Sequence, residues 1–129
     1  MFDLTWYNTL NQPPLTPPAA VFAPAWTILY ITIFISFVLY SVKKSSENKI
    51  WGYIIFFTQL ALNLCWSPLF FIYHNIGMAL AVLVIMDILV LLTIFEFLKV
   101  SKTAGLLLIP YLLWIIFATY LNAGIFILN

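Results

Sequence analysis

Four stretches of this sequence are long and apolar enough to dictate where the chain can live. Val21 to Val42 runs 22 residues without a charge. A helix rising about 1.5 Å per residue needs about 20 such residues to cross the hydrocarbon core of a bilayer. Ile50 to Tyr73, Gly77 to Leu98 and Ala104 to Leu128 repeat the pattern; Asp87 interrupts the third at its centre, and Glu96 and Lys99 close it. Backbone polar groups find no water in hydrocarbon, so runs of this kind must be helices. Short polar segments separate them: Lys43 to Lys49, then His74 and Asn75, then Val100 to Thr103. The expected fold class is an all-α integral membrane helical bundle, a single domain over 1–129 with an outer loop at 1–20 and spans at 21–42, 50–73, 77–98 and 104–128.

Composition removes the alternatives. The chain is 65% hydrophobic and 7% charged, against about a quarter charged in soluble domains, so a water-soluble globule is excluded. Five Lys, no Arg and a net charge of +1 cannot neutralise a phosphate backbone, which excludes nucleic acid as a partner. The lone Cys65 forms neither an intrachain disulfide nor a Cys-x-x-Cys pair. Met1 to Ala20 has no basic n-region or apolar h-region, so no cleavable signal is expected. The same segment holds four of the seven Pro and reads as a clinging loop, since Pro denies a helix its amide hydrogens. Pro24 opens the first span where a missing N–H is harmless, and Pro110 should kink the fourth. The turns that, with their flanks, hold all five Lys fall on one face of the bundle; the positive-inside rule puts them in the cytoplasm, with both termini and the His74 turn on the other side.

Depth gathers the polar and aromatic residues into one layer. Counted from the outer ends, Trp26 lies about 8 Å deep, Asn122 about 9 Å, Trp66 about 10 Å and Asn63 about 15 Å. Asp87 and Trp114 come out near the midplane. Gln59, Asn63, Trp66 and Phe70 share one helical face, as do Trp114, Ala118 and Asn122, and as do Trp26 and Tyr30. A polar stripe against lipid is costly, so these faces should point inward. Each residue also has a plainer reading. Trp and Tyr form interfacial belts, the natural role for Trp51, and Asn and Gln often serve only as interhelical hydrogen bonds. Asp87 is either a functional carboxyl or a protonated acid bonded to a neighbouring helix. His74 reads as a solvated turn residue, and Glu96 with Lys99 as an interfacial pair.

Three long motifs carry a resemblance. Trp6-Tyr7-x-x-Leu10-x-x-Pro13 followed by Pro17-Pro18-x-x-Val21-Phe22-x-Pro24-x-Trp26-x-x-Leu29-Tyr30 is similar to the loop and second helix of the translocator protein / tryptophan-rich sensory protein (TspO/MBR) family. Gln59-Leu60-x-Leu62-Asn63-x-x-Trp66-x-Pro68-x-Phe70-Phe71 resembles its third helix, Asp87 stands where its fourth carries an acid, and Pro110-Tyr111-Leu112-x-Trp114-x-x-Phe117-Ala118-Thr119-x-Leu121-Asn122 resembles its fifth. The resemblance implies a five-helix fold of which this chain supplies helices two to five. The family's first helix, which precedes the Trp-Tyr loop, is missing, through either a late start or a genuine four-helix form with one open side to the pocket. It further implies a homodimer that takes protoporphyrin or haem, and in some members sterols or isoquinolines, into a pocket lidded by the loop. Matched by position, Trp26, Asn63, Trp66, Trp114, Ala118 and Leu121 line that pocket and Trp6 and Tyr7 form its lid; Tyr30, Asp87 and Asn122 join them from the depth and face reading. The animal members' sterol motif has Ala123 and Ile127 at its matching positions, and no basic residue follows Tyr120, so sterol is not expected as a ligand.

Three functions stay open on these grounds. The first is a membrane sensor or transporter that binds tetrapyrroles, needing no cofactor beyond the porphyrin or haem ligand and no metal ligands of its own. The second is a light-dependent porphyrin-degrading enzyme with Trp26 and Trp114 as its redox indoles, in a chain lacking a nucleophile–base pair. The third is a ligand-free packing subunit, for which Gly77 with Ala81 and Ala61 with Cys65 supply small residues at four-residue spacing.

Overall fold

A computed structural model describes residues 4–16 and 21–129; Pro17 and Pro18 of the first motif, and Ala19 and Ala20, lie outside the described residues. The described chain is helical, with no strand. Helix α1 (Leu4–Thr9) is followed by α2 (Phe22–Val42), α3 (Ile50–Ser67), a π-helical turn (Pro68–Ile72), α4 (Ile76–Leu98), α5 (Lys102–Leu107) and α6 (Ile109–Leu128). Four membrane-crossing lengths result, with α5 and α6 together forming the fourth. The chain is therefore a multi-pass integral membrane protein, and its fold class is the one expected.

Three boundaries differ from the sequence reading, each for a local reason. The N-terminal segment contains a helix, α1, because its prolines begin only at Pro13 and leave residues 4–9 free to wind. The second span does not run regularly to Tyr73. Pro68 brings no amide hydrogen, and the chain widens so that the Tyr73 N–H donates to the Pro68 carbonyl at 3.0 Å and the Asn75 N–H to the Leu69 carbonyl at 2.9 Å. The fourth span is broken rather than kinked: Leu108 separates α5 from α6, with Pro110 in the first turn of α6. Ser101 caps α5, accepting from the Ala104 N–H at 3.2 Å, and Asn75 caps α4, accepting from the Met78 N–H at 3.1 Å.

Packing is tight in the half nearest the Lys turns and open in the other. Tyr40 of α2 stacks on Phe97 of α4 with ring centroids 4.0 Å apart, and Phe37 stacks on Phe56 of α3 at 5.0 Å. Gly52 leaves room for Tyr40, whose phenol occupies the space a Cβ there would need. Helix α2 leans mainly on α5, where Ser36 Oγ donates to the Ala104 carbonyl at 2.6 Å, while α3 packs along α4, and α4 along α6. Hydrophobic burial does not drive helices together in lipid; close packing and such interhelical bonds do.

Candidate functional site

Toward the opposite end α2 and α3 separate, and the space between them and α6 is a cavity of about 300 Å³. Its walls come from three regular stripes. Helix α2 presents Phe22, Trp26 and Tyr30 at four-residue spacing; α3 presents Asn63, Trp66 and Ser67; α6 presents Trp114, Ala118, Leu121, Asn122 and Ile125. Phe70 and Phe71 enter from the π-helical turn and Tyr7 from α1. The rings interlock edge to face: Trp26 and Trp114 stand perpendicular with centroids 6.3 Å apart, and Phe22 meets Trp114 at 6.1 Å.

Hydrogen bonds fix the polar parts of this wall. Tyr30 Oη donates to Asn63 Oδ1, Asn63 Nδ2 donates to Tyr111 Oη at 2.7 Å, and Tyr111 Oη donates to Gln59 Oε1 at 2.7 Å. This chain joins α2, α3 and α6 at the cavity's inner end. Nearer the mouth, Trp66 Nε1 donates to Asn122 Oδ1 at 3.1 Å, and Asn122 Nδ2 donates to the Ile76 carbonyl at 3.0 Å. Trp114 Nε1, by contrast, is buried without a hydrogen-bond partner.

A strap covers the mouth. Tyr7 is buried beneath it among Phe22, Phe70 and Phe71, and burial pushes its phenol above the ordinary tyrosine range. The Asn11 N–H donates to Asn129 Oδ1 at 3.2 Å, Asn129 Nδ2 donates to the Asn11 carbonyl at 2.9 Å, and Tyr120 Oη donates to the Pro14 carbonyl at 2.7 Å. Pro13 rests on Gly124, where a Cβ would come within 2.6 Å of the proline ring.

Of the residues expected at the site, Tyr7, Trp26, Tyr30, Asn63, Trp66, Trp114, Ala118, Leu121 and Asn122 line this one cavity. Trp6 and Asp87 do not. Trp6 lies outside, stacked on His74 with centroids 3.9 Å apart and its edge toward Phe70. His74 is an exposed turn residue, as expected, and it adds this stacking on Trp6 from a left-handed backbone, φ 55°. Asp87 faces α6 through Thr119. Phe22, Phe71 and Phe117, named above only within the motifs and not as site residues, also line the cavity. Phe22 could have been found one helical turn before Trp26, whereas Phe71 depends on the widened turn at Pro68.

Fold and site together define a helical membrane protein whose described residues form four spans, with an aromatic cavity under a docked strap. The chain belongs to the TspO/MBR family, whose model matches residues 2–128. It is 46% identical over 129 residues to the tryptophan-rich protein TspO of Archaeoglobus fulgidus, covering 97% of this chain and 80% of that one. It is 37% identical to the tryptophan-rich sensory protein of Cereibacter sphaeroides (91% and 72% covered) and 36% identical to the translocator protein of Bos taurus (91% and 70% covered).

Proposed function

We propose that the cavity binds a flat, largely apolar tetrapyrrole, protoporphyrin or haem, and that the protein is a membrane sensor or transporter for it. The observation that carries this reading is the wall itself: Trp26, Trp66 and Trp114 surround one space, and the buried N–H of Trp114 is unspent. Buried donors are nearly always satisfied, and a carboxylate or carbonyl on a ligand is an acceptor for this one. Aromatic faces and edges suit a macrocycle. The space, about 300 Å³, sits at the small end of ligand sites and is smaller than a tetrapyrrole, so binding requires the strap or α2 to move outward. The names translocator protein and tryptophan-rich sensory protein, borne by relatives, accord with either duty. In the same reading the Lys-bearing turns face the cytoplasm and the cavity mouth faces away from it.

Titrating protoporphyrin into the purified protein tests this. Trp emission is expected to be quenched with micromolar or tighter affinity, and Trp114→Ala to weaken binding by about 1–3 kcal/mol. No quenching at tens of micromolar would favour the ligand-free packing reading.

The perpendicular contact of Trp26 with Trp114 favours one second reading, light-driven porphyrin degradation, because both oxidisable indoles stand at the same wall. Illuminated complex should then bleach to a defined product, more slowly in Trp26→Phe and Trp114→Phe. Equal bleaching in wild type, both variants and detergent alone would leave the protein as a holder of pigment.

A further inference from the structure

Helix α6 presents different faces to two neighbours. Trp114, Ala118 and Asn122 face the cavity, while Thr119 lies on the seam with α4, where it meets Asp87, one helical turn beyond the fully buried Ile115. The seam holds the one acid at the centre of a span, Asp87.

The Thr119 hydroxyl stands there between two oxygens. Thr119 Oγ1 lies 2.8 Å from Asp87 Oδ2 and 2.8 Å from the Ile115 carbonyl oxygen. A hydroxyl has a single hydrogen, so Thr119 cannot donate to both. Were Asp87 a carboxylate, one of the two contacts would be a bare approach of oxygens. Its other oxygen, Oδ1, buried without a partner, would share a negative charge inside hydrocarbon. The five Lys and the His all sit in turns or at span ends, so no cation stands at this depth to balance it. An ionised side chain at a span centre is costly unless paired or solvated. Tyr111, the titratable group about two turns earlier on α6, has its hydrogen committed to Gln59 of α3. With a proton on Oδ2 the difficulty disappears: Asp87 O–H donates to Thr119 Oγ1, Thr119 O–H donates to the Ile115 carbonyl, and Oδ1 remains a neutral carbonyl oxygen.

We propose that Asp87 is a neutral acid whose O–H heads the chain Asp87 to Thr119 to the Ile115 carbonyl, making it a positioning residue that sets the rotation of α6 and hence the placement of Trp114, Ala118 and Asn122. The positioning part rests on the ligand-binding reading of the cavity; the proton assignment does not. Asn122, bonded to Ile76 at the start of α4, holds the same helix pair nearer the mouth, so α6 is registered at two levels.

Two measurements decide it. Infrared difference spectra of wild type against D87N at neutral pH should show the C=O stretch of a protonated carboxyl, and that band should shift in T119V, which removes its acceptor. Absence of the band overturns the assignment. In protoporphyrin titrations D87N, whose amide N–H can replace the acid's O–H, should bind within about twofold of wild type. D87V and T119V should bind about three- to tenfold more weakly, the range of one interhelical hydrogen bond. Thermal unfolding of each variant identifies any that fails to fold, and T119V, nearly isosteric, keeps the test open if D87V does. Equal weakening in D87N and D87V would show that the charge matters and overturn the neutral donor; wild-type affinity in all three would overturn the positioning role. A wild type that binds no protoporphyrin would sink the ligand reading and the positioning role together, while the infrared band still decides the proton.

Discussion

Asn63 shows how much one side chain can hold when water is absent. Its amide accepts from Tyr30 and donates to Tyr111, which in turn donates to Gln59, so α2, α3 and α6 meet through a single group. Replacing Asn63 with Leu keeps the volume but strands the Tyr30 hydrogen and one acceptor of Tyr111. A destabilisation of about 1–3 kcal/mol is expected, the cost of leaving buried polar groups unsatisfied, read as a lower unfolding temperature in detergent. A variant as stable as wild type would show the chain to be dispensable. Tyr7 supports a pH prediction of definite sign. Its phenol is raised by burial, so its contribution to strap docking is complete below the unfolded tyrosine value of about 10 and is lost as pH rises through the higher folded value. Strap protection against protease should therefore fall in strongly alkaline buffer, and Tyr7→Phe should abolish that fall.

At the scale of elements, the sequence was most legible where one strong constraint acts alone. Hydrocarbon thickness sets the span lengths, and α2 and α4 begin and end within a residue or so of the apolar runs that announced them. It was least legible where proline acts through geometry: the widening at Pro68 and the break at Leu108 depend on which carbonyls neighbouring N–H groups can reach, a matter that composition does not encode. The candidate site followed the same division. Residues on a helical stripe, such as Trp26, Asn63, Trp66 and Trp114, were found from spacing, whereas Trp6, in the segment before the spans, stacks on His74 instead of lining the cavity. The strap, too, was visible only as a proline-rich loop; its docking depends on Gly124, whose missing Cβ admits Pro13. Gly124→Ala is expected to displace it, because backbone and a rigid ring cannot both yield, at a cost of about 1–3 kcal/mol. Hydrogen exchange at the Asn11 amide, now bonded to Asn129, should rise markedly while amides in the middle of α4 stay protected. Unchanged protection at Asn11 would show that the strap is held from elsewhere.

Across the whole molecule, the division between a solid half and a hollow half follows the charge. All five Lys lie in or beside the turns at the end that holds the stacked rings of Tyr40, Phe97, Phe37 and Phe56, and the cavity opens toward the strap, where no Lys is found. The positive-inside rule predicts a mouth facing away from the cytoplasm, with ligand admitted from the outer face. Single cysteines in a Cys65→Ala background can establish this, since Cys65 is exposed in the structure and would otherwise contribute its own label. Ser45→Cys lies in the Lys turn, and Thr9→Cys at the end of α1; both positions are exposed. In intact cells, or spheroplasts where an outer envelope intervenes, a membrane-impermeant maleimide should label Thr9→Cys and spare Ser45→Cys until the membrane is opened. The reverse pattern would place the mouth in the cytoplasm and show that family packing, rather than five lysines, decides the orientation. Labelling of both before lysis would mean that the two orientations coexist, the outcome expected if a net charge of +1 were too small a bias to set it.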